Sequence, residues 1–217
     1  MYEVELKVPA DLDDVRHRLE AAGAVHESTI LQADTYYDAP HRSFPETDEA
    51  LRIRRVSTAE DSSATSSPDQ ESDTSAPNVS AADIIDAGEE AAVESTDSES
   101  RLTYKGPLLE VESKTRVEHE TAVEDDEAMA ATLTKLGFEP AATVHKRREQ
   151  FALEGYTITL DSVDGAGEFL EVEADAETEA DVEAVREGAQ RLLEQLDLDP
   201  DDQIRTSYLE LVLEARD

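Results

Sequence analysis

Positively charged residues recur at every second position in three short segments of this chain. The pairs are Arg52 and Arg54, Lys114 and Arg116, and Lys146 and Arg148. In a β-strand, residues two positions apart point to the same face, so each pair would place two cations side by side. Arginine binds phosphate oxygens through its planar fork, and lysine binds them as a point charge. The spacing therefore predicts strand faces that can hold a polyanion.

Carboxylates occur at the same spacing, but they carry less information. The pairs are Glu3 and Glu5, Glu118 and Glu120, and Glu171 and Glu173. About a quarter of the residues are acidic, so such pairs arise often by chance. Cations are scarce, and chance predicts fewer than two pairs where four occur. The fourth is Arg16 with Arg18, which we expect to be solvated on a helix.

The opposite faces of the cation-bearing strands are apolar, and this suggests where the charges point. Leu51, Ile53, Val117 and Val144 alternate with the cations. If these apolar faces pack outward against helices, the charged faces enclose a polar tunnel. The plain alternative is a half-buried sheet whose charged face lies in water. Buried cations need partners, and a triphosphate with a divalent metal would complete a tunnel. Oxygen ligands for Mg²⁺ or Mn²⁺ would come from the candidate metal residues Glu3, Glu5, Asp161, Glu171 and Glu173.

The elements that must position these residues follow from periodicity. Alternating patterns predict strands over 2–8, 30–37, 50–56, 102–105, 115–123, 143–153, 156–160 and 168–174. Helices are expected from the Asp11 cap to Gly23 and over 125–136, 181–196 and 207–213, with a turn at Gly106-Pro107. This is an α+β pattern. We expect an antiparallel, eight-stranded, closed or nearly closed β-barrel with helices packed outside.

One segment does not fit that pattern. Residues 57–100 contain twelve acidic residues, eleven serines and neither lysine nor arginine. Such a composition cannot bury enough apolar surface to offset the entropy lost on ordering. We therefore expect a single domain over 1–217, interrupted by a disordered acidic insertion at 57–100 with at most a helical turn near 81–87.

Composition excludes several classes of function. The chain has no cysteine, which excludes disulfides, thiol catalysis and cysteine-ligated metals. A formal charge of −35 argues against a nucleic-acid partner. No apolar run approaches the roughly 20 residues of a membrane span, and the N-terminus does not resemble a secretion signal. A cytoplasmic protein with no membrane partner is the expectation. The acidity resembles proteins of halophilic archaea, whose surface carboxylates maintain hydration in salt.

Ordered motifs identify the family. Glu3-Val4-Glu5-Leu6-Lys7 resembles the E-x-E-x-K signature of the CYTH family, which joins class IV adenylate cyclases with thiamine and inorganic triphosphatases. Further motifs follow in family order: 47–54 (TDEALRIR), 102–107 (LTYKGP), 144–148 (VHKRR), 158–161 (ITLD), 167–173 (GEFLEVE) and 207–211 (SYLEL). The resemblance covers essentially everything outside 57–100 and implies a triphosphate tunnel fold.

The resemblance also implies roles for individual residues. The triphosphate would be bound by Lys7, Arg52, Arg54, Lys105, Arg116, Lys146 and Arg148. The metal, Mg²⁺ or Mn²⁺, would be held by Glu5, Asp161, Glu171 and Glu173. Lys7, Lys105 and Glu5 are the candidate catalytic residues. A homodimer would be ordinary for the family.

Three activities remain open at this point. The 47–54 and 102–107 strings look closer to the cyclase branch, which converts ATP to cyclic AMP and pyrophosphate. A triphosphatase acting on inorganic, thiamine or nucleoside triphosphate would use the same tunnel. A non-catalytic triphosphate-binding module is the third reading, against which the full set of metal carboxylates argues.

Other conspicuous residues have structural interpretations. The five histidines lack metal-ligand spacing. Tyr36 and Tyr37 are expected in the core or at the tunnel rim. Arg55 and Arg147 point away from their neighbours and should form surface salt bridges. Glu118 and Glu120 share a face with Arg116, where they would orient cations.

Overall fold

The alternation of polar and apolar residues along each strand determines which face of the sheet turns inward when the sheet closes. The structure is a computed structural model that describes residues 2–58, 98–108 and 116–215. Its strands are β1 (Tyr2–Pro9), β2 (Val25–Asp38), β3 (Ala50–Thr58), β4 (Ser98–Leu108), β5 (Arg116–Val123), β6 (Glu139–Leu153), β7 (Tyr156–Val163) and β8 (Gly167–Ala176). Its α-helices are α1 (Leu12–Ala22), α2 (Phe44–Thr47), α3 (Asp126–Lys135), α4 (Val182–Gln195) and α5 (Tyr208–Glu214). Short 3₁₀ helices cover Glu179–Asp181 and Pro200–Asp202.

The eight strands form one closed barrel in the order β1-β5-β4-β3-β2-β6-β7-β8. All neighbouring strands are antiparallel, and β1 pairs with β8 from Tyr2 opposite Ala176 to Pro9 opposite Phe169. The barrel closes where Glu3 on β1 lies opposite Arg116 on β5. The prediction of an eight-stranded antiparallel barrel with helices outside is confirmed.

The apolar core lies between the barrel and its helices. Leu6 on β1 and Leu170 on β8 are fully buried against Leu19 of α1 and Leu193 of α4. A second apolar cluster joins Leu133 of α3 to the outer faces of β2 and β3. These contacts occupy the outward faces of the strands, and the charged faces are therefore turned inward. Val117 is an exception, because it points outward but stays 38% exposed.

Local capping explains where the helices begin and end. The Asp11 side chain accepts hydrogen bonds from the backbone N–H groups of Asp13 and Asp14, which begins α1. Gly23 ends that helix at φ +80°, a conformation that glycine adopts without steric cost. The sequence predicted both ends of this helix, and both are confirmed.

Several predicted details are wrong. Gly106 and Pro107 lie inside β4 at a register irregularity instead of forming a turn, because the strand continues to Leu108. The one-turn helix α2 was not predicted. Arg16 is not solvated, since its Nε and Nη2 donate to the Glu149 carboxylate at 3.0 and 2.9 Å. Arg18 donates to the carbonyl oxygen of Leu196 at 2.7 Å.

The ends of the predicted insertion belong to the barrel. Residues 57–58 lie in β3 and residues 98–100 lie in β4, where Ser57 is paired with Ser98. The rest of the insertion, with the helical turn expected near 81–87, lies outside the described residues, as does Lys114. Disorder of that segment stays a prediction. Among the helices that the structure describes, none has the length and apolar character needed to cross a membrane.

Candidate active site

The barrel encloses a cavity of about 570 Å³ lined by side chains from seven strands. All seven cations predicted to bind substrate line it: Lys7, Arg52, Arg54, Lys105, Arg116, Lys146 and Arg148. With Arg205, at least eight of the nineteen lysines and arginines of an acidic chain meet in one cavity. The structure therefore has the predicted polar tunnel. It does not have the alternative, a half-buried sheet whose charged face lies in water.

A buried aspartate on β2 holds the first pair of cations. Asp34 is 2% exposed and accepts two hydrogen bonds from Arg54, from Nε and Nη2, each 2.7 Å long. Arg52 Nη1 donates to the same carboxylate at 3.2 Å. Burial alone would raise the pKa of Asp34, but Arg54 and Arg52 outweigh it and hold the pKa well below its usual range. Asp34 was not predicted, although it lies directly opposite Arg54 on the neighbouring strand.

A second buried aspartate, on β7, holds the other pair. Arg148 Nε donates to Asp161 Oδ1 at 2.7 Å, and Lys146 Nζ donates to Oδ2 at 2.9 Å. Arg148 also donates to Glu171, and to Glu173 at 3.3 Å. Burial and the neighbouring Arg148 charge lower the pKa of Lys146. Each i, i+2 cation pair in this part of the barrel thus has its own buried aspartate.

Lys105 lies between two glutamates on neighbouring strands. Its Nζ is 3.2 Å from Glu3 Oε2 and 2.9 Å from Glu118 Oε2. Burial lowers the pKa of Lys105, but Glu3 and Glu118 outweigh it, and the pKa is raised. Burial raises the pKa of Glu3. Glu120 accepts hydrogen bonds from Arg101 at 2.7 Å and from Thr103 at 2.9 Å.

Three carboxylates meet on one side of the cavity. Glu5, Glu171 and Glu173 each offer an oxygen, and these oxygens lie within 4.8 Å of one another. Burial raises the pKa of Glu173 to about 8, and the nearby charges of Glu171 and Glu5 act in the same direction. A bound divalent cation would offset the repulsion between these crowded carboxylates and favour their ionised form. This set of oxygen donors therefore suits Mg²⁺ or Mn²⁺.

Two other predicted metal ligands have different neighbours. Glu3 bonds Lys105, and Asp161 is fully buried between Lys146 and Arg148. Neither belongs to the three-carboxylate group. A metal role for these two residues stays a prediction.

Arg116 contacts the connection between β2 and β3. Its Nη1 donates to the backbone oxygen of Asp48 at 3.1 Å and to that of Gly106 at 3.5 Å. Arg116 therefore links Asp48, in the 39–49 connection, to the start of β5. This connection and helix α5 both contribute side chains to the wall of the cavity.

The tyrosines and the outward arginines lie where they were predicted. Tyr36 and Tyr37 are buried in apolar clusters and also line the cavity. Arg55 forms an ion pair with Asp126, and Arg147 forms one with Glu149, both outside the cavity.

Comparison with known proteins identifies the family. A model of the CYTH domain matches residues 1–208. The chain belongs to the CYTH family. "Putative adenylate cyclase MJ0240" from Methanocaldococcus jannaschii is 32% identical to this CYTH chain over 212 residues, which are 97% of this chain and 98% of that protein.

Two solved structures share the fold. PH1819 from Pyrococcus horikoshii OT3 is 31% identical, with a TM-score of 0.76 and 98% of each chain covered. HpAC1 from Hippeastrum, described as a putative adenylyl cyclase with a dominant triphosphatase activity, is 15% identical, with a TM-score of 0.57. That match covers 98% of this chain and 95% of the other, and at this identity it shows the fold alone.

Proposed function

We propose that this CYTH protein is a metal-dependent enzyme that acts on a triphosphate, converting ATP to cyclic AMP and pyrophosphate. The observation that carries the proposal is the convergence of seven lysines and arginines from five strands on one cavity. In a chain of net charge −35, no general tendency of the composition favours such a concentration. The ligand that matches it is strongly anionic and long enough to reach several strands.

The cations are held ready for such a ligand. Asp34 and Asp161 fix the arginine forks before substrate arrives, so that little ordering is needed on binding. Lys7 and Lys105 would contact non-bridging phosphate oxygens as point charges. Lys105 keeps its proton because its glutamate partners raise its pKa.

Glu5, Glu171 and Glu173 would hold the metal. A bound Mg²⁺ or Mn²⁺ supplies charge neutralisation and polarises a phosphoryl oxygen. In the proposed reaction the 3′ oxygen of ATP forms a bond to the α-phosphorus, the bond from that phosphorus to the bridging oxygen breaks, and pyrophosphate leaves. The 3′ hydroxyl would give its proton to solvent water or to the leaving pyrophosphate, and Lys7, Lys105 and Arg148 would stabilise the negative charge on the phosphates.

Apolar residues in the lining of the cavity support a nucleotide as substrate. Besides the cations, the lining includes Phe44 and Pro45 of the 39–49 connection and Leu209 and Leu213 of α5. An inorganic triphosphate has no apolar part to bury against such residues. The motif resemblance to the cyclase branch and the name of the M. jannaschii relative agree with this choice.

A triphosphatase is the second candidate. The Hippeastrum protein shares the fold and is described as having a dominant triphosphatase activity. The same cations would bind the substrate, but water would attack the terminal phosphorus, and orthophosphate would be released. The two reactions differ in which phosphorus lies beside the attacking oxygen.

One assay separates the candidates. The protein is incubated in high salt with Mg²⁺ or Mn²⁺ and, in turn, ATP, tripolyphosphate and thiamine triphosphate. Cyclic AMP with pyrophosphate supports the cyclase, and orthophosphate supports the triphosphatase. Tight binding without turnover would leave a non-catalytic binding module.

Two variants test the site residues. Lys105→Ala and Glu171→Ala are each expected to abolish turnover while the far-ultraviolet circular dichroism stays that of the wild type. Lys135→Ala, on the exposed face of α3, is the matched control and should turn over at the wild-type rate. Wild-type rates in Lys105→Ala or Glu171→Ala would remove that residue from the site.

A further inference from the structure

An aromatic ring lies against two of the buried lysines of the cavity. Tyr208 is the first residue of α5 and is 8% exposed. The Lys7 ammonium lies 4.1 Å from the centre of its ring, and the Lys146 ammonium lies 4.9 Å from it. Both distances are within the range of cation–π attraction. The two lysines lie on different strands, β1 and β6, and the same ring contacts both.

The chain around Tyr208 is tied to β1. Ile204 N donates to the backbone oxygen of Lys7 at 2.8 Å. Lys7 Nζ donates to the backbone oxygen of Thr206 at 2.6 Å. The cap of α5 is reciprocal, because the Glu210 N–H donates to Ser207 Oγ at 3.1 Å, and Ser207 N donates to the Glu210 carboxylate at 2.7 Å. Tyr208 is thus held by backbone bonds on one side and by a helix cap on the other.

The ring also rests on a second aromatic residue. Its centre is 5.2 Å from that of Phe169 on β8, and Lys7 Nζ lies 5.9 Å from the Phe169 ring. Val144 and Val212 belong to the same apolar cluster. Packing from several elements restricts Tyr208 and so fixes the position of the ring face.

An aromatic ring differs from a carboxylate in what it does to a neighbouring cation. Its negative face attracts an ammonium group, but the ring carries no formal charge. Asp34 and Asp161 cancel part of the charge of the cations that they orient. The ring of Tyr208 can hold Lys7 and Lys146 in place without cancelling further charge, although Asp161 already offsets part of the charge of Lys146.

The hydroxyl group of Tyr208 has no part in these contacts. It is buried and has no hydrogen-bond partner among the residues that the structure describes. Removing a buried hydroxyl that lacks a partner is expected to be neutral or stabilising for the free protein. The ring and the hydroxyl can therefore be tested separately.

We propose that Tyr208 is a positioning residue for triphosphate binding, whose ring holds Lys7 and Lys146 side by side at the wall of the cavity. This inference rests on the proposed function, because it takes the two lysines as ligands of the triphosphate. The inference assigns a role in binding to a residue of α5 that has no formal charge and lies outside the strands.

The test compares side chains of nearly equal shape whose aromatic rings differ in the strength of their negative face. Phenylalanine and its 4-fluoro, 3,5-difluoro and 3,4,5-trifluoro derivatives are introduced at position 208 of the full chain by amber suppression. The Kd for tripolyphosphate is measured by calorimetry, and unfolding of the free protein is followed thermally. Fluorine weakens the negative ring face while keeping the packing nearly constant.

The expected result is a graded loss of affinity. Tyr208→Phe should bind within about threefold of the wild type, with an equal or higher midpoint of unfolding. Successive fluorination should raise the Kd stepwise, by about tenfold over the series, which corresponds to about 1.4 kcal/mol, because each fluorine weakens a buried cation–π contact. Tyr208→Leu, which has no ring, should bind at least as weakly as the trifluoro variant.

The outcomes distinguish this inference from the function on which it rests. A flat series in a protein that binds tripolyphosphate would show that the ring acts by packing only, and the inference would be wrong. Failure of the wild-type protein to bind tripolyphosphate would instead remove the proposed function. Tyr156→Phe is the matched control, because its hydroxyl donates to the backbone oxygen of Val185 at 3.0 Å on the outside of the barrel. It should leave the Kd unchanged and lower the midpoint of unfolding.

Discussion

Replacing Asp34 with asparagine should destabilise the barrel far more than its single lost charge would suggest. The carboxylate is almost completely buried and accepts hydrogen bonds from both Arg52 and Arg54. Asparagine has nearly the same shape, so packing is conserved. The change leaves two buried guanidinium groups without their counter-ion and turns an NH₂ group toward a donor.

The magnitude follows from the burial of the pair. Removing one partner of a buried ion pair costs roughly 3–5 kcal/mol. Because asparagine keeps one acceptor oxygen, we expect the lower end, about 3 kcal/mol of unfolding free energy. In a chain of this size that corresponds to a fall of about 6–12 °C in the midpoint of thermal unfolding. Buried pairs are screened little by salt, so the loss should persist at high ionic strength.

The effect also has a defined pH dependence. Arg54 and Arg52 depress the pKa of Asp34 in the folded state, so its charge contributes stability above the pKa of the unfolded chain, near 4. That contribution falls as the pH drops below about 4 toward the lower folded pKa. The difference in stability between wild type and Asp34→Asn should therefore be constant from pH 7 to about 4.5 and shrink below it.

Urea unfolding at a series of pH values measures this difference directly. The control is Asp13→Asn, because Asp13 also bonds an arginine, Arg16, but its side chain is 89% exposed. The control should lose less than about 1 kcal/mol. If Asp34→Asn lost no more than the control, or if its deficit grew on acidification, the account of Asp34 as the counter-ion of Arg52 and Arg54 would be refuted.

Three further predictions follow from individual contacts. Glu171→Gln should weaken Mn²⁺ binding at least tenfold in a calorimetric titration, since it removes a charge from the three-carboxylate group; unchanged affinity would place the metal elsewhere. Arg16→Gln should lower stability by about 1 kcal/mol by breaking the bidentate contact with Glu149 on the outer wall, with no change in turnover; a loss of turnover would contradict a purely structural role. Gly188→Ala should lower the free energy of unfolding by about 1–3 kcal/mol, because its new Cβ would lie 1.8 Å from the Tyr156 hydroxyl. In a double-mutant cycle, adding Tyr156→Phe should restore part of that loss.

Most of the barrel could be predicted from the sequence because side-chain alternation has a fixed period. Val4, Leu6 and Val8 alternate with Glu3, Glu5 and Lys7, and in the structure the first set packs on helices while the second lines the cavity. The ends of α1 were equally legible, since Asp11 and Gly23 act within one turn of the helix. Signals of this kind are local, and no distant contact overrides them.

The errors have the opposite character. Gly106 and Pro107 have turn-forming residue types, but β5 pairs with β4 beyond them, where Leu108 lies opposite Arg116, and keeps the chain extended to Leu108. Arg16 has the pattern of a solvated helix residue until β6 brings Glu149 beside it. In both cases a contact with another secondary-structure element decided the outcome.

The amino-acid sequence by itself determined which faces of the strands are charged, and hence that seven cations could meet if the sheet closed. Only the tertiary structure decided which carboxylate serves which cation. Asp34 and Asp161 came to hold arginines, and Glu5, Glu171 and Glu173 came together in one three-carboxylate group. The physical reason is that a face is set by the two-residue period of a strand, which any window of sequence reveals. A partner is set by the register between strands and the closure of the barrel, which depend on the whole chain at once.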